Sequence, residues 1–190
     1  RKSNEVKKAM KSLDGDWSNV DILINNAGLA MGLDPLHKGD INHWETMIDT
    51  NIKGLLYMTR AISPLMVKNG KGHIINICST AGHEAYPNGN VYCATKSAVD
   101  MLTKTMRLDF YKLGLRVSQV SPGMVEETEF AITRFEGDEK KSKIYEDITP
   151  LKAKDVADTI FFVATRPKHV NIQEVLVMCT QQAGSNFLDR

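Results

Sequence analysis

The sequence predicts an α/β domain built on a parallel sheet. Short β-branched or apolar runs alternate with segments of helix-forming residues that are about ten residues long or more. Strands separated by such helices pair in parallel through right-handed crossovers. With 190 residues, 42% of them hydrophobic and 25% charged, the chain is large enough to bury a core of its own. We therefore treat residues 1–190 as a single domain.

Four runs are predicted to be buried strands. They are Asp21–Asn25, His73–Cys78, Arg116–Val120 and Glu174–Met178. Apolar side chains at helical spacing predict four helices. These run from Asn4 to Leu13, from a cap at Asp40 or Asn42 to about Lys68, from the Tyr92 region to about Leu113, and from Asp155 to Thr165. Pro64 should kink the second helix, and Gly114 should end the third.

One polar, charged segment, Val125–Asp147, does not fit this alternation. We expect a mobile flap there, with a short helix near Lys140–Tyr145.

Composition excludes several classes of function. The formal net charge is +1, so the protein has no strong positive field that would attract nucleic acid or an anionic membrane. The apolar runs are too short to span a bilayer. Three cysteines without a CxxC pair are typical of reduced thiols in a cytoplasmic protein, and no His/Cys/Asp group has the spacing of a metal site.

A tyrosine, a lysine and a serine form the candidate catalytic group. Tyr92 and Lys96 are four positions apart on a predicted helix and share one face of it. We expect the nearby ammonium to lower the pKa of the phenol, which would then exchange a proton with a substrate alcohol or carbonyl. Ser79 follows a predicted strand, where open α/β sheets bind ligands. The three residue types in this arrangement suggest carbonyl–alcohol redox chemistry.

Five landmarks in order resemble the short-chain dehydrogenase/reductase superfamily. They are Asn25-Asn26-Ala27-Gly28, Asn51, Ser79, Tyr92-x-x-x-Lys96 and Pro122-Gly123. The resemblance implies a Rossmann-like, doubly wound sheet that lacks its first βαβαβ portion, because no GxGxxG or GxxxGxG motif occurs. About fifty to sixty residues of the family pattern would precede this sequence, by the size of two βα units and a strand. We expect the polypeptide to extend beyond these residues.

Narrower similarities point to one branch of that superfamily. Four stretches resemble its NADP-dependent 3-hydroxy acid (serine) dehydrogenases: Asn26–Ala30, Trp44–Asn51, Gly89–Tyr92 and Glu127–Phe130. The cofactor implied is NADP. NAD stays open, because the side chain that separates the two follows a strand absent from this sequence.

The resemblance also assigns roles to residues. Asn51 would position a water that leads to Lys96, whose ammonium would bond the nicotinamide ribose. Asn26, Ala27 and Gly28 would lie near the adenosine ribose, with Asn26 making an ordering hydrogen bond; an ordinary turn is the alternative interpretation.

The segment after the third strand would lie against the nicotinamide. Pro122 and Gly123 turn the chain there, the backbone of Val125 would meet the carboxamide, and Thr128 would be nearby. An ordinary Pro-Gly turn is again the alternative.

Substrate binding is assigned to Ser79, Tyr92 and Arg134. The guanidinium of Arg134 is suited to a carboxylate, as a 3-hydroxy acid would require, although a charge in a flap is commonly solvated. The expected reaction moves a hydride between NADP(H) and a small 3-hydroxy acid such as serine, or its semialdehyde or keto counterpart. The alternatives are a reductase of neutral ketones or sugars and a non-catalytic dinucleotide-sensing or scaffold protein. The resemblance further implies a homotetramer that pairs through its long helices and last strand, and the reduced thiols indicate a cytoplasmic location.

Overall fold

The computed structural model describes residues 1–15, 19–145 and 147–190. The strands, in chain order, are β1 (Ile22–Asn25), β2 (Gly72–Ile77), β3 (Leu115–Pro122), β4 (Val125–Glu126), β5 (Leu151–Lys152), β6 (Glu174–Val177), β7 (Gln182–Gly184) and β8 (Phe187–Leu188). The helices are α1 (Ser3–Lys11), α2 (Ile41–Ile48), α3 (Leu55–Asn69), α4 (Asn90–Phe110), α5 (Phe130–Arg134), α6 (Glu139–Ser142) and α7 (Ala153–Ala164).

A four-stranded parallel sheet of order β1-β2-β3-β6 forms the centre of the molecule. All four predicted strands belong to it, with ends that shift by one or two residues. The α/β fold with a parallel sheet is therefore confirmed. Because the strands are parallel, the chain segments that follow them meet at one edge of the sheet, and the predicted site residues follow three of these strands.

Helices cover both faces of this sheet. On one face, side chains of α3 and α4 such as Ile62 and Val99 pack against Ile74 of β2. On the other face, Val163 of α7 packs against Ile75, the next residue of β2. Neighbouring residues of a strand point to opposite faces, so a run without polar alternation is the pattern of a strand buried on both sides.

The predicted second helix consists of three parts. Asp40 caps α2 by accepting a hydrogen bond from Asn42 N at 2.7 Å, as one of the two proposed caps. A π-helical segment, Asp49–Gly54, then joins α2 to α3. The helix continues through Pro64 to Asn69.

The third predicted helix ends as expected. After α4, one turn of 3₁₀ helix leads to Gly114, which has φ +78° and so takes the left-handed conformation that stops helices.

The predicted flap contains more regular structure than the one short helix expected from the sequence. That helix is α6, beginning one residue earlier than predicted, and α5 and β4 precede it. Glu146 lies outside the described residues. Two small sheets, β4 with β5 and β7 with β8, were also not predicted. Their strands have two or three residues each, too few to show a period in the sequence.

Among the described residues, no helix combines the length and the apolar character that a membrane span requires.

Candidate active site

The structure brings Ser79, Tyr92 and Lys96 together at the carboxyl edge of the sheet. Ser79 directly follows β2 and Cys78, and its hydroxyl accepts a hydrogen bond from Ala81 N at 3.2 Å at the start of a short 3₁₀ turn. Tyr92 and Lys96 lie on successive turns of α4, and both side chains are buried. The Ser79 hydroxyl is near enough to the Tyr92 phenol to lower its pKa. The three side chains therefore lie together, as the spacing of Tyr92 and Lys96 and the position of Ser79 after a strand predict.

Aromatic and cationic groups surround the Tyr92 ring. The Phe130 ring meets it edge-on, with centroids 5.7 Å apart. The guanidinium carbon of Arg134 lies 5.8 Å from the Tyr92 ring centroid, and Lys96 Nζ lies 5.9 Å from it. The Tyr92 ring thus has two cations near it and otherwise packs in a cluster of apolar side chains.

The predicted direction of the Tyr92 pKa is wrong in this structure. Burial raises the pKa of Tyr92 above its ordinary value, while the Ser79 hydrogen bond and the Arg134 charge lower it by less. The neighbouring cation is visible in the sequence, but the burial of the phenol, which disfavours the phenolate, is not. The phenol is therefore protonated at neutral pH.

Lys96 is a buried cation with a carbonyl partner. Its Nζ donates a hydrogen bond to Ile77 O at 3.0 Å, at the end of β2. Burial lowers the pKa of Lys96 from its ordinary value. An ammonium has three N–H donors, so a group held this way keeps donors for further partners in the cleft.

Asn51 lies buried in the π-helical segment, beside the same cleft. Its Nδ2 donates to Leu29 O at 2.8 Å and to Thr95 Oγ1 at 3.0 Å, and its Oδ1 accepts from Leu29 N at 2.9 Å. π-helical turns inside α-helices are frequent at functional sites. The amide fixes the loop after β1 against α4, and its oxygen retains a second lone pair.

The hydrogen bonds that order the end of β1 belong to Asn25. Its Nδ2 donates to Asn76 Oδ1 at 2.8 Å and to Thr59 Oγ1 at 3.1 Å. The side chain of Asn26, for which the sequence predicted this ordering role, is exposed. Residues alternate between buried and exposed along β1, and this alternation places Asn25 on the buried side. The sequence does not show which side is buried, because Ile22 and Ile24 on the exposed side are as apolar as Leu23.

Gly28 lies where a side chain would crowd the site. A Cβ atom at this position would be 3.3 Å from both Asn51 Oδ1 and Lys96 Nζ. Ala27 and Gly28 are exposed at the edge of the sheet, so their backbone is open to a ligand.

The turn after β3 is held on both sides. Pro122 is the last residue of β3, Gly123 N donates to Val177 O at 2.8 Å, and Met124 N donates to Gln182 Oε1 at 2.9 Å. Beyond it lies a cavity of about 340 Å³ under the flap, lined by Val125, Thr128 and residues of the flap. Gln182 was not identified in the sequence, because its contact with the turn joins distant segments.

Arg134 is buried against the Tyr92 side of the cleft. It is 7% exposed, and its Nε donates to Gly32 O at 3.1 Å, while its guanidinium carbon lies 5.5 Å from the Tyr86 ring centroid. Burial raises the pKa of Tyr86, and a hydrogen bond from Arg134 and its charge lower it by less. Tyr86 lies in the loop between Ser79 and Tyr92, and nothing in its sequence context predicted a place in the site.

A second polar cluster, His83 with Asp100 and Glu174, has ligand atoms within 4.8 Å of one another. The sequence showed no such group because its members lie on a loop, a helix and a strand. His83 Nε2 lies 2.8 Å from Glu174 Oε1, and Lys104 Nζ lies 2.7 Å from Asp100 Oδ2. The two carboxylates of this cluster thus each have a side-chain partner within the protein.

Comparison with known proteins identifies the class. Residues 1–139 match the short chain dehydrogenase family, and the chain belongs to that family. The resemblance seen in the sequence is thereby confirmed. The fold and the grouping of Ser79, Tyr92 and Lys96 agree with a dehydrogenase of this type.

Individual relatives narrow the comparison. NADP-dependent 3-hydroxy acid dehydrogenase YdfG of Salmonella typhi is 49% identical over 179 residues, which are 94% of this chain and 72% of that protein. Sulfoacetaldehyde reductase 2 of Chromohalobacter salexigens is 44% identical over 189 residues, 98% of this chain and 75% of that protein. The closed form of a serine dehydrogenase complexed with NADP+ superimposes with a TM-score of 0.95 at 44% identity, covering 100% of this chain and 77% of the other.

Proposed function

We propose that this protein is an oxidoreductase that transfers a hydride between NADP(H) and a small 3-hydroxy acid such as serine, or its semialdehyde or keto counterpart. The observation that carries the proposal is the setting of the Tyr92 ring: the Ser79 hydroxyl acts on its phenol, and the cations of Lys96 and Arg134 lie 5.9 Å and 5.8 Å from its centroid. One group of residues can thus serve both proton transfer and the binding of an acid.

Tyr92 is the proposed acid and base. Because burial keeps its phenol protonated, it is ready to donate a proton to a carbonyl oxygen in the reductive direction. The Ser79 hydroxyl, which partners the phenol, would hold that same substrate oxygen. In the oxidative direction the phenol must first lose its proton, and the nearby cations of Lys96 and Arg134 favour the charge that develops.

Lys96 and Asn51 are the proposed route for that proton. The depressed pKa of the buried lysine brings it closer to neutral pH, which suits proton exchange. Asn51 Oδ1 and Lys96 Nζ both lie close to Gly28, and a water there would contact both groups.

The residues present fit a dinucleotide. The small residues Ala27 and Gly28 leave backbone open at the sheet edge, and the space beside Gly28 is bounded by Lys96 Nζ, a donor for a ribose hydroxyl. Asn26 would lie near the adenosine ribose. Pro122, Gly123, Val125 and Thr128 would form the nicotinamide side. NADP, when bound, supplies or accepts the hydride; the NADP named for two relatives favours it over NAD.

Arg134 is the proposed anchor for a substrate carboxylate. Its guanidinium is next to the Tyr92 ring and is held in place through Nε. Its terminal nitrogens carry N–H donors beyond the one that Tyr86 takes, and these could bind a carboxylate. Burial strengthens such a contact because water competes less. A reductase of neutral ketones or sugars would have no use for a buried cation here. A scaffold protein would have no use for the Tyr92–Ser79 contact.

Substrate profiling of Arg134→Gln tests the proposal. We expect the apparent KM for 3-hydroxy acids to rise by about tenfold or more, the effect of losing a charged hydrogen bond, while neutral alcohols change little. Arg60→Gln, a change to an exposed arginine of α3, is the matched control. Equal effects of Arg134→Gln on acids and neutral alcohols would contradict the assignment of the substrate class.

The proposed assembly is a homotetramer in the cytoplasm. Large apolar side chains are exposed on the outer side of α4 and on α7, among them Leu108 at 72% and Phe161 at 69%. Association through α4 and through the β6 edge would cover them. Light scattering at four times the monomer mass is the expected result, and a monomer at micromolar concentration would refute this arrangement.

A further inference from the structure

The carboxyl-terminal hairpin formed by β7 and β8 contacts more than one wall of the cleft. Ser185 N donates to Glu84 Oε2 at 2.8 Å, and Asn186 Nδ2 donates to Ala85 O at 3.1 Å. These contacts hold the loop that leads to Tyr86. Gln182, on the same hairpin, reaches across to Met124 after β3. The hairpin therefore ties together two segments that are far apart in the sequence.

The side chain of Gln182 is buried, and both polar atoms of its amide make hydrogen bonds. It is 6% exposed, its Oε1 accepts the hydrogen bond from Met124 N at 2.9 Å, and its Nε2 donates to Gly184 O at 3.4 Å. The backbone of Gln182 is itself fixed by a bond from its N to Cys179 O at 3.0 Å. A long polar side chain held at both ends in this way defines the position of the group it bonds.

Gly123 makes the approach of Gln182 possible. A Cβ atom on Gly123 would lie 2.1 Å from Gln182 Oε1 and 2.9 Å from Met178 Cγ, so any side chain would expel the amide. The other bonds of the turn run to the sheets: Gly123 N to Val177 O, and Leu151 N to Met124 O at 3.0 Å. The N–H of Met124 is thus held by a side chain and not by the neighbouring strands.

We infer that Gln182 is a positioning residue that sets the Gly123–Met124 turn for the nicotinamide end of the cofactor. This inference rests on the proposed function, which places that turn on the nicotinamide side. Without the Gln182 amide, Met124 N would lose its hydrogen-bond acceptor. The Gly123–Met124 turn would then no longer be held in one position beside the cleft. An unfixed turn weakens binding of the nicotinamide half because ordering it costs part of the binding energy.

The test uses two ligands that differ in the nicotinamide. Affinities for NADPH and for adenosine 2′,5′-bisphosphate, which has no nicotinamide, are measured for the wild type, Gln182→Leu and Gln182→Glu. We expect Gln182→Leu to weaken NADPH binding about tenfold and the bisphosphate less than about twofold, as for one lost hydrogen bond. Gln182→Glu, which keeps an acceptor oxygen for Met124 N, should recover most of the NADPH affinity.

Gln181→Leu is the matched control. Gln181 is the adjacent residue, and its Oε1 accepts from Thr149 N at 2.7 Å, away from the Gly123–Met124 turn. We expect its NADPH affinity to stay within about twofold of wild type. Amide hydrogen exchange of Met124 without ligand gives an independent reading, since Gln182→Leu should speed it and Gln181→Leu should not.

Each outcome decides the matter. Equal weakening of both ligands by Gln182→Leu, or no weakening of NADPH, overturns the inference. A wild-type protein that binds NADPH but turns over no 3-hydroxy acid contradicts the proposed substrate. The role of Gln182 is then still decided by the measured affinities for the two ligands. A wild-type protein that binds neither ligand overturns both proposals.

Discussion

A buried base lies at each end of strand β2, His73 on the strand itself and Lys96 on α4, and the two bases differ in what surrounds them. His73, near the start of the strand, contacts Ser118 Oγ through Nε2 at 2.7 Å. Lys96 bonds the carbonyl of Ile77, at the end of the strand. Burial lowers the pKa of both side chains, for His73 to about 4.

The difference lies in the neighbours that each base has. Ser118 in turn donates to Asn171 Oδ1 at 3.2 Å, so His73 must be the donor to Ser118, and its Nδ1 is a buried acceptor without a partner. That arrangement fills the interior and faces no cleft. Lys96 lies beside Tyr92, at the edge where ligands bind. Desolvation lowers the pKa of both bases. For His73 the consequence is a pH-dependent stability, and for Lys96 it is a change in reactivity beside the cleft.

Tyr92→Phe should give the largest effect. Removing the hydroxyl takes away the proposed proton donor, so we expect the rate constant of turnover to fall by at least about 10² to 10⁴-fold. The measurement is steady-state kinetics with NADP(H) and a 3-hydroxy acid. Tyr111→Phe, a change to an exposed tyrosine at the end of α4, is the control and should leave turnover unchanged. An active Tyr92→Phe variant would assign the chemistry to another group.

Lys96→Met separates reactivity from stability. We expect turnover to fall by at least about a hundredfold, while the free energy of unfolding in urea stays the same or increases, because a buried charge is replaced by an apolar side chain of similar volume. Lys104→Met, at the exposed ion pair with Asp100 on the same helix, should change stability by less than about 1 kcal/mol and leave turnover unchanged. A large loss of stability in Lys96→Met would make this lysine a structural residue like His73.

Lowering the pH should remove the contribution of neutral His73 to the stability of the fold. The folded pKa of about 4 lies below the ordinary value of 6.5, so the unfolded chain binds more protons between these values. The stability that neutral His73 contributes is complete above pH 6.5 and is lost as the pH falls toward 4. Between pH 7.5 and pH 5 the loss is about 2 kcal/mol from linkage.

Urea unfolding of the wild type and His73→Gln at the two pH values isolates this contribution. The variant should lose about 2 kcal/mol less than the wild type over the interval. His169→Gln, at an exposed histidine, should behave as the wild type does. Identical pH dependence in the wild type and His73→Gln would contradict the buried neutral imidazole.

Much of the fold was predictable, because the signals that define it are local. The apolar run of β2, the spacing of Tyr92 and Lys96 and the left-handed glycine after α4 each depend on residues that are close in sequence. The π-helical segment around Asn51 was not predictable, since its apolar stripe is compatible with a continuous α-helix. The sign of the Tyr92 pKa shift was also missed, because desolvation depends on residues from several elements.

Contacts between segments that are distant in sequence limit how much of the site could be predicted. Tyr86 and Arg134 are brought together by a loop and the five-residue helix α5, and Gln182 and Met124 by a turn and a strand of three residues. Elements this short leave no period in the sequence. Asn25 is a different case. Whether it or Asn26 faces the interior could not be decided from the sequence, because Leu23 and Ile24, on opposite faces of β1, are both apolar.

The most direct measurement follows the hydride itself. The protein is incubated with NADP+ and 3-hydroxybutyrate deuterated at carbon 3, and the NADPH formed is examined by mass spectrometry. The cleft of Ser79, Tyr92 and Lys96 predicts NADPH that carries the deuterium, and a Tyr92→Phe variant that forms almost none. Absence of labelled NADPH with this and other 3-hydroxy acids, from a protein that binds the cofactor, would contradict the proposed function.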